Sequence, residues 1–117
     1  SRDATFDTIT AKRLSINNAA GKRQVFLGTV ENGGLLGIYN TAGTPQAYVS
    51  VTENGGSMGI QNAAGKRQAG LLVGDNGGTL GIFSAAGKPQ VVLGVDDNGG
   101  TLALLNKTGE RVVRRIP

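Results

Sequence analysis

Apolar and polar positions alternate with a period of two along most of the chain, in short runs set apart by glycine-bearing turns. In one family of runs, Leu36/Ile38, Met58/Ile60, Leu80/Ile82 and Leu102/Leu104 fall on one side, while Gly37, Gly59, Gly81 and Ala103 fall on the other. In the other family, Val25/Leu27, Ala47/Val49/Val51, Ala69/Leu71/Val73 and Val91/Leu93/Val95 share a side. There Gln24, Gln46, Gln68 and Gln90 open the opposite side. Two-residue alternation with β-branched enrichment predicts strands, and no apolar stripe of helical period competes with it.

The runs belong to one repeat. Asn-Gly-Gly begins at Asn32, Asn54, Asn76 and Asn98, and a second glycine falls at Gly21, Gly43, Gly65, Gly87 and Gly109, each series stepping by 22 residues. Asn-x-Ala-Gly-Lys, as in Asn62–Lys66, suits a type I turn closed by a glycine at positive φ. Glu-Asn-Gly-Gly suits either that turn or a primed Asn-Gly turn. Gly33, Gly43, Gly55, Gly65, Gly77, Gly87, Gly99 and Gly109 are the predicted turn glycines. The expected fold class is all-β: an antiparallel meander of about ten short strands, two per repeat. A parallel β-solenoid has a similar period, but it would stack Glu31, Glu53, Asp75 and Asp97 about 4.8 Å apart, where like charges repel. An up-and-down barrel is the other alternative.

The division expected is a leading segment or cap over 1–13, with Thr5–Thr10 as an additional strand or lead-in, and one repeat domain over 14–117. Its units are about 14–30, 31–52, 53–74, 75–96 and 97–117. The last unit carries Arg114-Arg115 in place of an apolar end and reads as a terminal cap.

An alternating meander presents one aliphatic face. Leu36, Ile38, Val49, Met58, Ile60, Leu71, Leu80, Ile82, Leu93 and Leu102 are its expected core or interface residues. Leaving such a face in water forgoes on the order of 20–40 kcal/mol of gross transfer free energy. With no helix to cover it, the sheet must close as a barrel, fold over as a sandwich, or pack against copies of itself as a prism. The connections are uniformly short, so no sandwich crossover is visible. A shared sheet assembly, with three copies about an aliphatic axis, is the arrangement expected.

Composition narrows the chemistry. The chain of 117 residues has 20 Gly, 3 Pro, 38% hydrophobic and 4% aromatic residues, and neither Cys, His nor Trp. Without Cys there are no disulfides or thiolate sites, and without His the commonest general base and metal ligand is missing. No catalytic set, cofactor site or metal site is expected, and the protein is read as non-enzymatic. No apolar run is long enough for a membrane-spanning helix. The formal charge of +4 is modest, and the absence of aromatics interleaved with basic residues argues against nucleic acid.

The charges nevertheless segregate. Lys22, Arg23, Lys66, Arg67 and Lys88 mark a candidate basic rim at the Ala-Gly turns, together with Lys107 and Arg111. Glu31, Glu53, Asp75, Asp96 and Asp97 lie at the Asn-Gly-Gly turns. Such rims serve as solvated turns, as contacts to an anionic polymer or surface, or as complementary edges between copies. Asp75, Asp96 and Asp97 offer oxygen ligands, but their spacing matches no calcium loop. On the second face, Phe26, Tyr39, Tyr48 and Phe83 are placed to shield the strand glycines or to line a groove for a sugar.

Units such as NAAGKRQVFLG and DNGGTLGIFSAAGKPQVVLGV resemble the hairpin repeats of fibrous phage-tail or surface-adhesin shafts that trimerise through β-prisms. The resemblance covers residues 14–117 as pattern, with a repeat much longer than the tail-spike octapeptide. It implies a homo-oligomeric, trimeric scaffold or fibre segment at an extracellular, virion or cell surface. The alternatives are a carbohydrate-binding repeat module, with surface glycans as partners, and a barrel for a small apolar ligand.

Overall fold

Each Ala-Gly turn closes on the same pair of backbone bonds. Gly65 N–H donates to Asn62 O at 2.8 Å and Asn62 N–H to Lys66 O at 2.8 Å. Gly65 carries φ of +84°, a conformation that costs a side-chain-bearing residue strain. The asparagine completes the turn: Asn62 Oδ1 accepts from the N–H groups of Ala64 (3.1 Å) and Lys66 (3.0 Å). This is a type I turn followed by a glycine bulge, and the strand register shifts by one residue beside it, between Ile60 and Gln61.

The Asn-Gly-Gly turns settle the choice left open by sequence. A primed turn needs positive φ at the asparagine, yet no non-glycine residue among those described has positive φ. The positive φ falls on the following glycine instead, from 119° at Gly99 to 147° at Gly33. All eight predicted turn glycines have positive φ.

The computed structural model describes residues 3–113. Its strands are β1 (Leu14–Asn17), β2 (Arg23–Val30), β3 (Gly33–Tyr39), β4 (Pro45–Thr52), β5 (Gly55–Gln61), β6 (Arg67–Gly74), β7 (Gly77–Phe83), β8 (Pro89–Asp96), β9 (Gly99–Leu105) and β10 (Arg111–Val113). They form one open ten-stranded sheet in sequence order, every pair antiparallel. The meander is therefore established in place of the solenoid. Because β1 and β10 are the two edges, the barrel is not formed. No helix occurs among the described residues.

Thr5–Thr10 forms no strand. The link to β1, Ala11-Lys12-Arg13, lacks the glycine or asparagine that every other turn uses, and no hairpin joins the run to the sheet. Its Phe6 remains 64% exposed. Arg114-Arg115 lies outside the described residues.

Register turns the two families of runs into three rows on one face. The row nearest the Ala-Gly turns reads Ile16, Val25, Ile38, Ala47, Ile60, Ala69, Ile82, Val91, Leu104. The middle row reads Leu14, Leu27, Leu36, Val49, Met58, Leu71, Leu80, Leu93, Leu102. Toward the Asn-Gly-Gly turns the side chains shrink, with pairs Thr29–Gly34, Val51–Gly56, Val73–Gly78 and Val95–Gly100.

Candidate functional site: an uncovered aliphatic face between two charged rims

The aliphatic face is left open by the chain that makes it. Ile60 is 58% exposed, Ile38 and Val49 47%, and Leu71 45%, while Ala103, at 6%, is the one buried hydrophobic side chain among the described residues. At mid-sheet, curvature shapes the face into an apolar trough of about 300 Å³ lined by Leu36, Ile38, Val49, Met58, Ile60, Leu71 and Leu80. All ten residues expected as core or interface stand in the two large-residue rows. Leu80 and Leu102 are half-buried, as is Leu36, and the others are exposed.

Surface area gives the scale. The chain exposes 8457 Å². A folded monomer of 11.9 kDa is expected to expose about 6,000 Å². Part of the surplus of roughly 2,500 Å² belongs to the extended leading residues, and the rest to a sheet with nothing packed on it. The extents of 59 × 28 × 22 Å describe a slab rather than a sphere.

The opposite face is completed from within. Its central row runs Ser15, Phe26, Gly37, Tyr48, Gly59, Gly70, Gly81, Val92, Ala103. Rings lie over the glycine pits: a Cβ on Gly59 would stand 2.6 Å from the Tyr48 ring, one on Gly37 3.1 Å from Tyr39, and one on Gly81 3.0 Å from Phe83. Phe26 covers Gly28 in the same way. The shielding role expected of these aromatics is thus seen directly.

Two residues of the expected basic rim join this face. Arg23 stacks on Phe26, its guanidinium carbon 4.4 Å from the ring centroid, and donates to Ser15 Oγ at 3.3 Å. Arg67 donates to Tyr48 Oη at 2.6 Å, and its stem lies 3.4 Å from where a Cβ on Gly70 would be.

The glutamine column ties successive repeats together. Gln24, Gln46, Gln68 and Gln90 each donate to a carbonyl of the next Ala-Gly turn: Asn40 O (2.9 Å), Asn62 O (3.0 Å), Ser84 O (2.9 Å) and Asn106 O (3.3 Å). Period predicted the column but not its acceptor, because the partner lies 16 residues on, across the sheet.

The sheet order places all Ala-Gly turns at one end of the strands and all Asn-Gly-Gly turns at the other. Lys22, Lys66 and Lys88 are exposed at the first end, and Glu31, Glu53, Asp75 and Asp97 at the second. The stems of Lys22 and Lys66 lie against Gly43 and Gly87, each 3.8 Å from where a Cβ there would stand. Lys22 and Lys66 therefore each run beside the gap between their own turn and the next. Strands of seven or eight residues hold the rims about 25 Å apart, well beyond the ~8 Å screening length at physiological salt. Within one chain the rims do not neutralise each other.

Among the described residues, no three acidic side chains gather in a way that would hold a metal ion. No helix there is long and apolar enough to cross a membrane. No protein-family model matches the chain, and no curated protein matches it.

Proposed function

We propose that this chain is a non-enzymatic assembly module: a rigid β-repeat segment that homotrimerises into a prism, aliphatic faces inward, and serves as a shaft or scaffold. The observation that carries the reading is the uncovered face of β2–β9. A trimer removes it from water, and the surplus area per chain exceeds the ~800 Å² per partner of a standard specific interface.

The fall in side-chain size from the middle row to the Asn-Gly-Gly edge agrees with three sheets. A flat sandwich keeps its sheets about 10 Å apart throughout, so it needs side chains of similar reach in every row. A triangular prism is deepest at the middle of each face and narrow at its edges. For strands of about 23 Å, mid-face lies about 7 Å from the axis, beyond the ~5 Å half-gap of a sandwich. The middle row holds Leu, Met and Val49, and the row by the Asn-Gly-Gly turns falls to Val, Thr and Gly, whereas the row by the Ala-Gly turns keeps Ile or Leu on alternate strands. The hairpin resemblance to trimeric shafts of phage tails and adhesins agrees with this shape.

A glycan-binding role has less support, because the rings that would grip a sugar lie over the chain's own glycines. A small-ligand barrel loses its fold, since the sheet stays open. Native mass spectrometry tests the reading. The expected species is three times the chain mass of 11.9 kDa, and a folded species of one chain mass overturns it.

A further inference from the structure

We infer that the copies join edge to edge through unlike rims: the Lys end of one sheet meets the Glu/Asp end of the next, strand level with strand level. The inference rests on the assembly reading above and specifies its geometry.

Aliphatic faces can be turned inward in two ways. If the symmetry axis runs along the strands, Lys ends gather at one end of the assembly and carboxylates at the other. If it runs across the strands, along the direction in which they stack, each sheet's Lys edge abuts its neighbour's carboxylate edge. The first gathers the lysines with one another and the carboxylates with one another; the second brings unlike charges together at three of four levels.

Charge placement along the chain fits the second arrangement at three of four strand levels, and the fifth Ala-Gly turn carries Glu110 at the lysine position. Lys22 precedes β2 and Glu31 follows it, Lys66 precedes β6 and Asp75 follows it, and Lys88 precedes β8 and Asp97 follows that strand. Each pair sits at opposite ends of one strand, at one level of the sheet. Rotation about an axis across the strands, with no translation, brings the carboxylate of one copy to the lysine of the next. In the remaining repeat Thr44 takes the lysine's place opposite Glu53.

The gaps fit as well. Five Ala-Gly turns alternate with the levels of four Asn-Gly-Gly turns, so the acidic turns of one copy enter between the basic-side turns of its neighbour. The Lys22 and Lys66 stems already lie in two of those gaps. Arg23 and Arg67, held on the outer face by Phe26 and Tyr48, are not needed for the contact.

Solvated pairs of this kind add little affinity, in the range of 0–1 kcal/mol each. Their effect is on orientation and register, because the competing arrangement would juxtapose like charges. Removing one pair should therefore leave assembly intact, which makes a cross-linking test practicable.

The chain has no native cysteine. Full-length protein carrying Lys66→Cys and Asp75→Cys together, treated with a bismaleimide of about 10 Å span, should give a closed three-chain band on a denaturing gel and nothing larger. Each single variant should give no cross-link. A closed two-chain product from the double variant keeps the rim pairing and replaces the prism with a sandwich. A two-chain product from Asp75→Cys alone overturns the inference, because it places acidic rims together. So does the absence of cross-links from a double variant whose native mass is oligomeric. A monomeric native mass for the untreated wild-type chain overturns the assembly reading itself, and the inference with it.

Discussion

The two faces of this sheet are built from the same strands and reach different ends. The outer face is finished by its own chain: rings fill the glycine pits, Arg23 and Arg67 stack or bond to those rings, and each glutamine caps a turn of the next repeat. The aliphatic face has no such provision, and Ile60 stands 58% exposed at its middle. Packing that closes on itself contributes stability to one chain. Packing left open leaves the aliphatic face to the assembly proposed above.

Substitutions on the two faces should separate assembly from local packing. Ile60→Asp should have the largest effect. A carboxylate forced into a dry axis costs on the order of 3–5 kcal/mol per chain, and the account expects oligomer mass and far-UV β signal to be lost together. A soluble, folded monomer would break the comparison. Gly59→Val, on the other face, should be milder. Its Cβ would displace Tyr48, since the ring atoms lie 2.6 Å from that position, and the ring's bond to Arg67 would go with it. About 1–3 kcal/mol of stability should be lost, read as a lower thermal midpoint, with light-scattering mass unchanged.

Smaller changes sharpen the same line. Gln68→Ala removes the amide that donates to Ser84 O at 2.9 Å and to Arg67 O at 3.0 Å. About 1 kcal/mol should go, visible as faster hydrogen exchange around the Ser84–Lys88 turn with mass preserved. Tyr48→Phe keeps the ring over Gly59 and deletes only the acceptor for Arg67. The expected cost is at most about 1 kcal/mol, and denaturant titration should show a midpoint shift smaller than that of Gly59→Val.

Much of this fold could be read from sequence because turn chemistry and alternation agree at every step. Gly65 demanded a positive φ, Asn62 supplied the cap, and the spacing between turns then fixed which residues shared a face. The Asn-Gly-Gly turns were readable as turns but not as a type, since choosing between them depends on φ at Asn54 and Gly55. Thr5–Thr10 takes the lead-in form of the two expected for it: alternation marks a residue's fitness for a strand, whereas pairing also needs a turn, and none forms at Ala11-Lys12-Arg13. Long-range contacts were the least legible. Nothing local says that Arg67 will leave the rim for the Tyr48 hydroxyl, or that Gln68 will bond Ser84.

The aliphatic face was legible in full as a face, and its exposure followed once the sheet was seen to stay open. The proposed occupant, further copies of the chain, is supported by the row sizes and the rim charges, and these depend on register.

Dilution separates a sheet that needs its copies from one that stands alone. Circular dichroism and sedimentation velocity, followed on the same samples as concentration falls, ask whether the sheet exists without its partners. The account predicts that the β signal declines in step with the three-chain species and that the unfolding midpoint rises with protein concentration. A β signal that persists undiminished once only single chains sediment would contradict it.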